Sequence, residues 1–121
     1  MSVNSMKVEQ LNMRLYEKVQ SEQEAYVAEL LKKSPEEILK SAREYCVRDD
    51  MVAELEFLNF KEPQVRGMLR SDTPLADMYE EWKNTEIPNM DDIRSVLSTH
   101  AENEGKKYER DVKRKNDRDA R

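Results

Sequence analysis

Apolar residues recur along the first part of the chain at steps of three and four: Val8, Leu11, Leu15, Val19, Tyr26 or Val27, and Leu30. That spacing puts them on one side of a helix and predicts a long amphipathic helix over residues 5–33, with a polar gap at Glu22 and Gln23. A helix with a single apolar stripe needs a cover for it. Residues 1–33 therefore either wrap a helical core or pair with another chain as a homodimer.

The next boundary is the sharpest. Ser34-Pro35-Glu36-Glu37 sets a capping serine before a proline at the first helical position, with a glutamate three residues after the cap. The helix it opens is expected to bury Ile38, Leu39, Ala42, Tyr45 and Cys46 and to end near Arg48. Asp49-Asp50 would then cap a following helix that buries Met51, Val52, Leu55 and Leu58, with Phe57 and Phe60 adding bulk at its end. Pro63 begins a short helix through Val65, Met68 and Leu69, weakened by Gly67 and closed at Ser71-Asp72. Thr73-Pro74 starts another, whose inner face is Leu75, Met78, Tyr79 and Trp82, with Trp82 as core anchor. Ile87-Pro88-Asn89 is a break. Asn89 caps a last helix with an acidic first turn, Asp91-Asp92, and an apolar side at Ile93, Leu97, His100 or Ala101, Tyr108 and Val112.

No segment alternates apolar and polar residues as a half-buried strand does. Two glycines and 15 Val, Ile and Thr residues are poor material for strands and hairpins. The chain reads as an all-α single domain of five or six helices, with short central helices over about residues 35–85 between long N- and C-terminal ones. Residues 1–104 form the helical domain, and 105–121 a mixed-charge tail, either a helix extension or disordered.

Length and charge sharpen this picture. A chain of 121 residues suits one domain. Charged residues make up 39% of it, so the core is modest and the surface strongly polar. The net charge of −5 is unevenly spread: residues 1–104 hold 13 Lys/Arg against 22 Asp/Glu, a balance of −9, and residues 105–121 hold 8 against 4, a balance of +4. An acidic body repels phosphates and favours a basic protein surface. The absence of a run of 18 apolar residues, a start (MSVNSMKVEQ) without the apolar segment of a signal peptide, and a lone Cys46 lead to the expectation of a soluble, cytoplasmic protein that does not enter membranes.

Catalytic chemistry finds little to work with. One His and one Cys cannot build a zinc cage. His100 and Glu104 stand four apart, the spacing of a helix-surface ion pair and only half of a metal-ligand arrangement. Cys46 is expected as a small buried hydrophobe. No serine elbow or phosphate-cradling glycine loop exists, so the expectation is a non-enzyme that needs no cofactor or metal.

Two charged stretches are left as candidate partner-binding residues. Asp77, Glu80, Glu81, Glu86, Asp91 and Asp92 fall within 16 positions with Lys83 as the only positive charge among them. Such a row can imitate phosphates and occupy a basic groove on a partner, although any one of these residues also suits a solvated helix face. The tail offers Lys106, Lys107, Arg110, Lys113, Arg114 and Lys115 for direct nucleic-acid contact. It is diluted by four acids and has one aromatic, Tyr108, for stacking.

The segments LYEKVQSEQEAY (15–26), SPEEILKSAREY (34–45), TPLADMYEEW (73–82) and TEIPNMDDIR (85–94) resemble a domain-of-unknown-function family of short acidic helical proteins. Members are carried among accessory genes of conjugative elements and phages of gut bacteria. The resemblance spans about residues 11–97 and rests on helix starts and an aromatic core. It implies a mobile-element accessory protein and brings no catalytic residues. Its natural targets would be host defence nucleases, so the expected function is a protein-binding inhibitor similar in kind to anti-CRISPR proteins, with an RNA-guided nuclease or its ribonucleoprotein as partner. The alternative is an accessory regulator of conjugation or transcription that touches nucleic acid through the basic tail.

Overall fold

The computed structural model describes residues 3–85 and 93–119. Six helices make up nearly all of this: α1 (Val3–Leu30), α2 (Pro35–Lys40), α3 (Ala42–Leu55), α4 (Glu62–Leu69), α5 (Pro74–Lys83) and α6 (Ile93–Asp119). No strand occurs among the described residues. The all-α reading holds.

The stripe on α1 is covered from within the chain, because Leu11, Leu15 and Val19 join the core with buried residues of α3, α4 and α5, and Leu30 is buried as well. Beside the stripe, polar residues of the same helix hold the connections that follow. Asn12 donates to the Phe60 carbonyl at 3.0 Å and accepts from the Phe60 N–H at 2.9 Å. Lys18 donates to the carbonyls of Leu69 (3.1 Å) and Ser71 (2.5 Å), where the C-terminal carbonyls of α4 lack helical partners. The two Glu22 carboxylate oxygens accept from the N–H groups of Leu75 (2.8 Å) and Ala76 (2.9 Å). Thr73 makes no side-chain cap for α5, so a residue about fifty positions upstream supplies one. The polar gap in the stripe is therefore structural at Glu22, while at Gln23 it places a buried amide with no hydrogen-bond partner among the described residues. Glu22→Gln keeps only one acceptor for two N–H groups and should lower the unfolding free energy by about 1 kcal/mol. The measurement is the urea midpoint at constant m-value, and an unshifted midpoint would remove Glu22 from the cap.

Several sequence expectations shift. Ser34 does cap α2, accepting from the Glu37 N–H at 3.3 Å, but α2 ends at Lys40 and a separate helix restarts at Ala42. That helix runs straight through Asp49 and Asp50, which are exposed on its outer side while Val47, Met51, Val52 and Leu55 keep the inner register. With the break at Ser41, the inner face is not the expected one. Leu39 is 75% exposed, Ala42, Tyr45 and Cys46 are also exposed, and Cys46 is no buried hydrophobe. Phe60 is buried, but Phe57 lies 73% exposed beyond the end of α3. In α5 the expected Leu75, Met78 and Trp82 are buried and Tyr79 is half-buried. The break at Ile87-Pro88-Asn89 and the acidic turn at Asp91-Asp92 lie outside the described residues.

The most extensive helix contact joins α4 to α6. The chain's two glycines, Gly67 and Gly105, both sit there and both are buried. Neither has a positive φ, so the requirement is for space and not for backbone freedom. A Cβ on Gly67 would overlap the Glu104 carbonyl, with the carbonyl carbon at 2.7 Å; one on Gly105 would stand 2.9 Å from Gln64 Cγ. Beyond this contact α6 continues to Asp119, and Arg70 ties its next turn to the body through Asp111 at 2.7 Å and the Tyr108 ring. That guanidinium holds the Asp111 carboxyl below its ordinary range.

Candidate functional site

The acidic row on and after α5 is not a uniform face. Asp77 is engaged locally: it accepts from the Ser71 hydroxyl at 2.6 Å, within the turn that starts α5. Glu81 points the other way, and His100 Nδ1 lies 2.7 Å from its carboxylate. His100 is buried, and a carboxylate only accepts, so this contact makes Nδ1 the protonated nitrogen. The His100 partner is therefore Glu81 across the α5–α6 contact and not Glu104 along α6, which the Lys107 ammonium meets at 3.4 Å. Glu80 is exposed. Glu86, Asp91 and Asp92 lie outside the described residues.

The basic candidates Lys106, Lys107, Arg110, Lys113, Arg114 and Lys115 are all exposed on α6. The depression between Asn103, Lys106, Lys107 and Arg110 is formed by that one helix, without a second element to wrap a ligand.

Two features escape the sequence reading. The first is an arginine–aromatic cluster where α1, α3 and α5 meet. The Arg48 guanidinium, held by Glu44 at 2.9 Å, lies 4.4 Å from the Tyr26 ring centroid and 5.5 Å from that of Tyr79. Tyr79 stacks on Trp82 at 5.9 Å, and Arg43 lies over the Trp82 ring at 5.5 Å. Burial and then the Glu44 carboxylate push both phenols, Tyr26 and Tyr79, above their ordinary range against the pull of Arg48. This cluster locks α3 to α1 and α5, and its cations are already partnered.

The second is an open groove of about 480 Å³ between α1 and the α3–α4 connection. Its deep part is apolar: Leu55 is buried, and Tyr16 and Leu58 pack half-buried against the core. Met13, 63% exposed, extends the apolar wall. Glu9, Glu17 and Glu56 stand exposed along the edge, and none of the three forms an ion pair with a described residue. The groove is held open by the paired Asn12–Phe60 hydrogen bonds, which fix the connection against α1. Met13 and Tyr16 lie off the 11–15–19 stripe, and apolar residues outside a helix's core stripe were the signal for a second face.

Among the described residues no three His, Cys, Asp or Glu side chains are grouped as metal ligands, and no helix is long and apolar enough to cross a membrane. No curated protein and no solved structure matches the chain. Residues 11–104, which hold α2 to α5, most of α1 and the first part of α6, match the family described as protein of unknown function DUF3848, and the chain belongs to that family.

Proposed function

We propose that this protein is a non-enzymatic binding module that inhibits or modulates a protein partner through its acidic surface. The observation that carries the reading is the groove: accessible apolar side chains beside carboxylates that form no ion pair with a described residue suit a protein contact and repel phosphate. The charge balance of −9 over residues 1–104 extends the same preference over the whole body. Carriage on a conjugative element or phage, which the family resemblance implies, would make a nucleic-acid-processing defence enzyme the natural target, in the manner of anti-CRISPR proteins. Glu80, Asp91 and Asp92 are the members of the acidic row to test, because reversing Asp77 or Glu81 would also break the turn before α5 or uncover His100.

The test is plasmid clearance by an RNA-guided nuclease in cells that express the protein. Protection is expected, and Glu80→Lys/Asp91→Lys/Asp92→Lys should reduce it at least about tenfold, the factor that 1.4 kcal/mol of lost binding gives, with helical circular dichroism unchanged. Unaltered clearance with the wild-type chain would reject the defence-nuclease target, and full protection by the variant would reject the acidic row as the contact.

A second reading, a regulator of conjugation or transcription that contacts nucleic acid, is favoured by the exposed run Lys106, Lys107, Arg110, Lys113, Arg114 and Lys115 on α6. It requires binding that weakens steeply with salt, and no DNA binding by the intact chain at low salt would remove it.

A further inference from the structure

We propose that the groove between α1 and the α3–α4 connection takes a basic amphipathic helix of a partner protein, about three turns long, with its apolar side on Met13, Tyr16 and Leu58 and its Lys or Arg residues opposite Glu9, Glu17 and Glu56. This rests on the protein-binding reading above and names the chemistry of the occupant. Three observations carry it. First, the groove has two kinds of surface in the right order, an apolar interior backed by the core and an edge on which every charged lining residue is a carboxylate. An apolar peptide would leave those carboxylates facing nothing, and an acidic one would meet like charge. Second, the lining runs from Glu9 to Gln20 along α1, eleven steps along the helix or roughly 16 Å at about 1.5 Å per residue, which matches three turns of a docked helix. Third, the site is preorganised. Both backbone groups of Phe60 are held by Asn12, so the connection that forms one wall is ordered before anything binds.

The probe is a fluorescein-labelled 14-residue peptide of leucines at helical spacing with lysines on its other faces, titrated by fluorescence anisotropy against the full chain. The expected result is saturable binding that Glu9→Lys/Glu17→Lys/Glu56→Lys weakens at least tenfold. Met13→Ala/Tyr16→Ser should weaken it several-fold, including at high salt where charge attraction is screened. Glu24→Lys/Asp50→Lys/Glu102→Lys alters the net charge equally at exposed positions away from the groove and should leave the affinity within about twofold. Equal weakening by both triple variants would reduce the effect to net charge and overturn the site. So would failure of the peptide to bind. Sedimentation without peptide must show no self-association through this face: a dimer that Glu9→Lys/Glu17→Lys/Glu56→Lys dissociates would assign the groove to the basic tail of a second copy. A chain that protects plasmids but does not bind the peptide sinks the groove assignment alone, whereas loss of protection by the wild-type chain concerns the target and leaves the peptide titration standing.

Discussion

Gly67→Ala should destabilise the protein by about 2 kcal/mol, in the range that overpacking a tight interior costs. The direction is the informative part. On an exposed helix the same change is favourable by about 1 kcal/mol, because alanine restricts the unfolded chain and has the better helix propensity. Here the added methyl would overlap the Glu104 carbonyl of α6, a rigid backbone group in the middle of a helix. Relief requires α4 and α6 to move apart, which loosens Val65 and Met68 on one side of the contact and Leu97 and Ala101 on the other, all buried. Gly105→Ala provides the contrast. Its Cβ would stand 2.9 Å from Gln64 Cγ, at the root of a side chain that already accepts from the Lys61 N–H, and 3.2 Å from the Gln64 backbone, a milder overlap than the one at Gly67. Its packing cost should still exceed its propensity gain, leaving a smaller loss of about 1 kcal/mol. Chemical denaturation of the two variants in parallel is the measurement. A Gly67→Ala protein as stable as the parent would show that the α4–α6 contact is looser than described.

The same residue shows where the sequence stopped being legible. Read alone, Gly67 is a flaw in a short helix, since propensity describes one helix at a time. Its use appears only when another helix crosses at the same place, and nothing in the spacing of the chain pairs Gly67 with Gly105. Local signals carried well: proline-led starts at Pro35 and Pro74 and the inner face of α5 appear in the structure as the spacing requires. Signals that depend on which face turns inward did not. The Asp49-Asp50 pair reads as a cap because short acids favour caps, yet two acids on the outer side of a continuing helix cost little when Val47, Met51 and Leu55 hold the register. His100 likewise has an acid four residues away, but the partner that reaches it comes from α5. The groove was least legible of all. Glu9, Glu17 and Glu56 look like ordinary solvated residues in the sequence, and their common edge exists only after Asn12 has fixed Phe60 against α1.

Trp82→Ala should have the largest effect of any single truncation, about 3–5 kcal/mol, the usual loss for removing a buried large aromatic. Trp82 is 2% exposed and lies where α5 meets α3 and α6. Its removal takes the stacking partner from Tyr79 and the ring from under Arg43, so the arginine–aromatic cluster loses one end as well as the core losing volume. Against a total stability of about 5–15 kcal/mol for a domain of this kind, such a loss leaves a protein that is partly unfolded at room temperature or unfolds on mild heating. Trp82→Phe keeps a ring for Tyr79 to stack on and should recover more than half of the loss, which separates the aromatic contact from simple cavity formation. Phe57→Ala is the control: the side chain is about as large but 73% exposed, and its loss should change stability by less than about 0.5 kcal/mol. Urea denaturation followed by far-ultraviolet circular dichroism decides between these outcomes without relying on the fluorescence of the residue removed. If Trp82→Ala cost no more than Phe57→Ala, α5 would not be anchored by its indole, and the exposure of Glu80 beside it would have to be reconsidered together with the acidic surface it helps to form.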